Sequence, residues 1–255
     1  MYTGNARSNF QYLFPAYFTF SPNAPRLAAF YITGYEYTVK LAIFDLDNTL
    51  IGGDSDYLWG QFLAEQGHLD GNTRRRENQR YYDDYKAGKL DIHEFLEFQL
   101  QPLAGADPAI LQARRTQYIE EKIRPILLDK SLKLIAHHRQ QGHTLLVITA
   151  TNRFITEPIA ELLDVSNLIA SEPEIKDGRY TGKSTGIPSY AEGKVTRLNA
   201  WLKENNLKPD ETWFYSDSHN DLPLLKIVDH PVAVDPDDIL REEAKKKGWP
   251  IISLR

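Results

Sequence analysis

Residues Leu41 to Gly53 read "LAIFDLDNTLIGG", and the fold turns on this stretch. Leu41-Ala42-Ile43-Phe44 is a short apolar run of the kind that forms a strand buried on both faces. Asp45 and Asp47 follow one residue apart, and then come Asn48, Thr49 and a Gly-Gly pair. A carboxylate at the end of a central strand is costly to desolvate unless a metal, a cation or hydrogen bonds compensate it. The two acids either close a turn or are held at a ligand site. The rest of the chain decides between these.

Beyond this strand the pattern is helical from Asp54 to about Asp129. "DYLWGQFLAEQ" puts Leu58, Trp59, Phe62 and Leu63 on one stripe, and "DPAILQARRTQYIEEKI" offers Asp107 as a cap with Pro108 at the first helical position. From Ser131 strands and helices alternate. A helix ends at Gly142, "TLLVIT" is a buried strand, and a helix follows through Leu163. "EIKDGRYTG" is a hairpin turning at Asp177-Gly178. A helix from Lys194, the strand "TWFYS", a helix near Leu222, the strand "PVAV", and a last helix and strand complete the chain. Such alternation predicts an α/β fold, a doubly wound parallel sheet, with the helical block inserted after the first strand.

Further polar residues fall where these strands end. Thr149 closes "LLVIT", Lys194 opens a helix in "EGKVTRL", and Asp217 and Asp221 follow "WFYS" in "SDSHNDLPLL". Parallel sheets bind ligands beyond the carboxyl ends of their strands. Asp45, Asp47, Thr149, Asp217 and Asp221 should therefore converge, with Lys194 reaching in. Four carboxylates together require counter-charge. Oxygen donors without His or Cys suit magnesium, and the lysine, hydroxyl and amide donors suit an anion. The pattern implies a pocket for phosphate plus Mg²⁺.

With these residues in order, the chain resembles the haloacid dehalogenase superfamily of phosphohydrolases, in its phosphoserine-phosphatase-like branch, from about Lys40 to the end. Ser216 and Ser218 stand where "GDGxND" is commoner in that family. The resemblance implies a Mg²⁺-dependent phosphatase with Asp45 as nucleophile and metal ligand. It makes Asp47 the general acid/base, lending its carbonyl to the metal. Thr149, Lys194 and Asn220 would hold phosphate, Asp217 would ligate the metal, and Asp221 would support the metal's water shell. It also divides the chain into a core (39–53 and 130–255), a helical cap (54–129) and an N-terminal extension (1–38). A lid of that kind favours small phosphorylated metabolites over bulky phosphoproteins. Asp54, Asp56, Tyr57 and Trp59 fall where lid meets pocket, and acids with aromatics suit an amine. L-histidinol phosphate is the first expectation for the substrate and phosphoserine the second, since its carboxylate would want an arginine (Arg74 to Arg76, Arg80 or Arg114). A phosphotransferase and a phospho-accepting receiver are the other classes; a receiver gives Asp47 no role.

Bulk properties narrow the classes. A net charge of -5 over 255 residues gives no basic field for nucleic acid, and the absence of cysteine excludes disulfides and thiolate chemistry. No apolar run approaches the roughly 20 residues of a membrane span. These features suggest a cytoplasmic enzyme. Met1 to Tyr37 is aromatic-rich and broken by Pro15, Pro22 and Pro25, without a signal-peptide pattern. One expectation is that translation starts at Val39 and that the preceding residues are an upstream extension. "YTGKSTG" imitates a phosphate loop but lacks its spacing and context, and reads as hairpin. His137-His138 and Arg74-Arg75-Arg76 are expected at the surface, the latter as a solvated turn, and His219 is expected to be exposed.

Overall fold

The computed structural model describes residues 37–255. The proposed extension and its alternative start therefore fall largely outside the described residues. Seven strands form one sheet: β1 (Tyr37–Phe44), β2 (Thr144–Asn152), β3 (Asn167–Lys176), β4 (Arg179–Thr185), β5 (Leu207–Ser216), β6 (His230–Val234) and β7 (Ile251–Ile252). Their spatial order is β4-β3-β2-β1-β5-β6-β7, all parallel except the β3–β4 hairpin. Setting aside β4, this is the doubly wound order whose direction reverses at the central strand. The reversal lies between β1 and its neighbours β2 and β5, and Asp45 stands just past it.

Alternation along β1 divides the core in two. Ala42 and Phe44 join one apolar cluster, with Leu145, Val147, Ile155 and Ile159. Leu41 and Ile43 join the other, with Leu198, Phe214, Leu225 and Leu240. Accordingly α5 (Asp129–Gln140) and α6 (Arg153–Leu162) cover one face, and α7 (Glu192–Glu204), α8 (Leu222–Leu225) and α9 (Asp238–Lys247) cover the other. Between β1 and α5 run α1 (Ser55–Glu65), α2 (Gly71–Lys86), α3 (Ile92–Leu100) and α4 (Pro108–Tyr118). Asp54, Asp70, Asp91 and Asp107 cap them, each accepting backbone amides of the first turn. The insert shares the first apolar cluster: Trp59 packs edge-on to Tyr118 and Phe154 at 5.1 and 5.7 Å. No helix among the described residues is long and apolar enough to cross a membrane.

"YTGKSTG" lies in β4 and its exit, and Asp177 and Gly178 both take positive φ in the two-residue turn, as expected. Three surface expectations need correction. Arg74 is buried within α2, donating to the Phe98 carbonyl and Gln99; the triplet is helical, not a turn. His138 is buried, its Nδ1 paired with His143 Nδ1 and its Nε2 with the Tyr215 hydroxyl, both at 2.8 Å. A polar side chain on the inner face of an amphipathic helix can be buried when partners satisfy it, and helical period alone does not reveal partners. His219 is half-buried, with Nδ1 2.8 Å from Asp237.

Candidate active site

The Asp45 amide donates to the Tyr215 carbonyl at 2.9 Å, which extends the β1–β5 pairing by one residue and fixes the start of the loop. Asn48 takes φ 57, a left-handed conformation that asparagine tolerates, and the chain folds back so that Leu50 N reaches Leu46 O at 2.8 Å. This turn brings Thr49 between two acids. Its hydroxyl lies 3.2 Å from Asp45 Oδ2 and 3.2 Å from Asp217 Oδ1, and accepts the Asp217 amide at 3.1 Å.

Lys194 Nζ lies 2.7 Å from Asp45 Oδ1 and 2.7 Å from Asp221 Oδ2, with its side chain only 3% exposed. Its position depends on a tight helix start. A Cβ on Gly193 would meet the Pro188 carbonyl oxygen at 2.1 Å, and Ala191 sits at φ 48. Ser216 donates to the same Asp221 oxygen at 2.7 Å. Asp221 is thus turned to the lysine. Thr149 is buried two residues beyond the last β1–β2 pair, Phe44–Val147, at the same carboxyl edge; its hydroxyl accepts the Thr151 amide at 3.2 Å. Asn220 accepts from the Tyr190 hydroxyl at 2.8 Å.

Asp47 points the other way. Its Oδ1 accepts the Ser55 amide at 2.7 Å and its Oδ2 the Thr151 hydroxyl at 2.8 Å. Burial, then the Asp54 charge, pushes its carboxyl up to about 6 against these hydrogen bonds. Burial likewise raises Asp45 to about 7, with Asp221 and Asp47 adding to it and Lys194 opposing. Asp217 is raised well above the usual range by burial and by Asp45 and Asp221. Lys194 is held protonated, because the two carboxylates outweigh its desolvation.

Of the residues expected to read an amine, Asp54 and Tyr57 are exposed. Asp54 caps α1 through the Tyr57 amide at 2.9 Å, and the protein crowded around it raises its carboxyl despite that exposure. Asp56 and Trp59 are 2% and 1% exposed, as buried as Thr149 and Lys194 at 2% and 3%. Trp59 is held among aromatic rings. Asp56 accepts from Asn152 at 2.9 Å, and burial, followed by Asp54 and Asp47, raises its carboxyl well above the ordinary value. Sequence reasoning missed Thr49 as the bridge between acids, Thr151 and Ser55 as the holders of Asp47, and Tyr85. Tyr85 comes from α2 to hydrogen-bond Ser218. The alternation of Thr149 with Thr151 on β2 was a usable signal; nothing local marks Tyr85.

The donor set can be tested against a metal. Thr49 has one proton to give and two carboxylates facing it, and Lys194 touches only one of them. Among the described residues no three acidic or imidazole side chains gather at one point. Two carboxylates completed by backbone oxygen and water still fit Mg²⁺, which keeps much of its hydration.

Comparison with known proteins places the chain in a family. Residues 42–226 match the haloacid dehalogenase-like hydrolases. A histidinol-phosphatase of Neisseria meningitidis serogroup C is 45% identical over 220 residues, covering 85% of this chain and 99% of that protein. A protein of unknown function from Bordetella pertussis Tohama I superposes with a TM-score of 0.81 at 43% identity, over 86% of this chain and all of that one. A phosphoserine phosphatase solved as a phospho-aspartyl intermediate analogue shares the fold, with a TM-score of 0.64 at 19% identity over 86% of this chain and 95% of that one. The chain belongs to the haloacid dehalogenase-like hydrolases. Within that family it is a phosphatase.

Proposed function

We propose that the chain hydrolyses a small amine-bearing phosphate monoester, first of all L-histidinol phosphate, through an aspartyl-phosphate on Asp45. The observation that carries the chemistry is the convergence of Asp45, Lys194, Thr49 and Asp217 at the switch point of the sheet. The Asp45 carboxylate attacks phosphorus and the ester oxygen departs, taking the Asp47 proton; splitting one slow hydrolysis into two steps lowers each barrier. Asp47 then takes a proton from water as it attacks the acyl phosphate, which returns Asp45 and releases phosphate. Lys194, Thr149 and Asn220 hold the phosphoryl oxygens, and Asp221 keeps Lys194 in place. Asp45, Asp217 and the Asp47 carbonyl would hold Mg²⁺, which would supply charge neutralisation on those oxygens, and Asp221 would support its water shell.

The split into a core (39–53 and 130–255) and a cap (54–129) belongs to the same reading. The hydrogen bond between Tyr85 and Ser218 supports a cap that closes on the "SDSHND" segment. The relative named a histidinol-phosphatase supports the substrate. Asp54, accessible and acidic, is the partner for the ammonium. Phosphoserine needs a cation for its carboxylate as well. Arg74 is turned into the insert, and Arg80 is tied to Glu77, Asp84 and Glu94.

A comparison of phosphate release from histidinol phosphate, phosphoserine and a neutral sugar phosphate with Mg²⁺ tests the substrate. Histidinol phosphate should lead, and Asp54→Ala should raise its KM far more than that of a neutral aryl phosphate. Equal turnover of all three would end the substrate assignment.

A further inference from the structure

Two consecutive residues at the start of α1 meet two consecutive residues at the end of β2. Ser55 and Thr151 take one oxygen each of Asp47, at 2.7 and 2.8 Å. Asp56 and Asn152, the next residue along each element, take each other at 2.9 Å. All four are buried, between 0% and 6% exposed. The backbone on either side is held as well: the Tyr118 hydroxyl donates to the Ser55 carbonyl at 2.7 Å, and Thr156 to the Asn152 carbonyl at 3.1 Å. Neither donor to Asp47 can shift without disturbing the Asp56–Asn152 bond beside it.

The pair is a poor bargain for stability alone. Asp56 Oδ2 and Asn152 Oδ1 are enclosed without a hydrogen-bond partner, as is the Ser55 hydroxyl. Buried polar atoms left unpaired destabilise a fold, and apolar side chains of similar volume would avoid that penalty. What such a pair supplies is orientation.

We propose that Asp56 and Asn152 are a positioning pair for Asp47, holding the Ser55 amide and the Thr151 hydroxyl at the separation that aims the Asp47 carboxyl at the leaving oxygen. The inference rests on the reading of Asp47 as general acid. It assigns Asp56 a part in the reaction without contact to substrate. A misplacement of about 1 Å at a reacting group can cost on the order of 100-fold in rate.

Leaving-group chemistry separates positioning from mere support. An alkyl ester such as histidinol phosphate needs a proton on its departing oxygen, whereas 4-nitrophenyl phosphate expels a stable phenolate without one. The experiment measures single-turnover ester cleavage of both substrates in Asp47→Asn, Asn152→Asp, and Asn152→Asp combined with Asp56→Asn. Asn152→Asp sets two carboxyl groups face to face, while the combined variant reverses donor and acceptor and restores the bond. Asn152→Asp should lose about 10- to 100-fold on the alkyl ester, change little on the aryl ester, and recover in the combined variant. Equal losses on the two esters, no loss, or no recovery in the combined variant would overturn the inference. If Asp47→Asn does not distinguish the two esters, the general-acid reading itself fails. If Asp47→Asn distinguishes them and Asn152→Asp does not, only the positioning role fails.

Discussion

The two ends of the β1–β5 pair handle polar groups in opposite ways. Toward the amino end, His143 stacks on Trp213 and Trp213 on His230, each at 4.6 Å. His230 meets Glu211 at 2.7 Å, and Glu211 meets Lys40 at 2.7 Å. His138 pairs there with His143 and Tyr215, and burial lowers the pKa values of both histidines. At the carboxyl end Asp45, Asp47, Asp54 and Asp217 all have raised carboxyls, with Lys194 as the ammonium in contact. An end that satisfies itself is architecture. Under the proposed function, an end with surplus negative charge is where a cation and a substrate would bind.

The largest expected effect follows from removing the nucleophile. Asp45→Asn keeps the shape and removes one of the crowded charges, so phosphate release should fall below detection while the melting temperature holds or rises. Normal turnover in that variant would erase the distinction between the two ends. A smaller effect follows from the helix start that holds Lys194. Gly193→Ala drives a methyl against the Pro188 carbonyl, and relieving it must move the backbone next to Lys194. Activity should drop about 10-fold or more and stability by about 1–3 kcal/mol, read by phosphate release and by chemical denaturation. Unchanged activity would mean that Lys194 is placed by its two carboxylates alone.

The amino end should give the smallest effect, on stability and not on turnover. The unfolded chain takes up the His138 proton below about pH 6.5, whereas the folded chain does so only near pH 4. Folding is therefore favoured above that window, and the contribution disappears as pH falls through it. The wild type should lose about 2–3 kcal/mol more than His138→Gln between pH 7 and pH 4 by urea unfolding. Equal losses would mean that His138 titrates normally in the folded protein.

Most of the fold was legible because strand and helix periods are local properties. β1, β2 and the hairpin stand where apolar runs and the Asp177-Gly178 turn put them, and the helix carrying Lys194 starts within two residues of it. The acids of the candidate site were legible because each sits at the end of a buried run, where a charge needs a reason. The failures have one physical origin. The burial of Trp59 and Asp56 comes from Tyr118 and Asn152, remote in sequence, which their nearness to Asp45 along the chain does not reveal. Arg74 and His138 looked exposed because their partners, Gln99 and Tyr215, are remote in sequence. Tyr85 reaches Ser218 across 133 positions, and no spacing rule joins them.

The proposed function rests on transfer of the phosphoryl group to Asp45. Enzyme mixed with a substrate labelled in its phosphoryl group, quenched in acid within one turnover and digested, tests it directly. Label should appear on the peptide bearing Asp45, be released by hydroxylamine and be absent in Asp45→Asn. Turnover with no labelled peptide in the wild type, or label on a peptide that lacks Asp45, would contradict it.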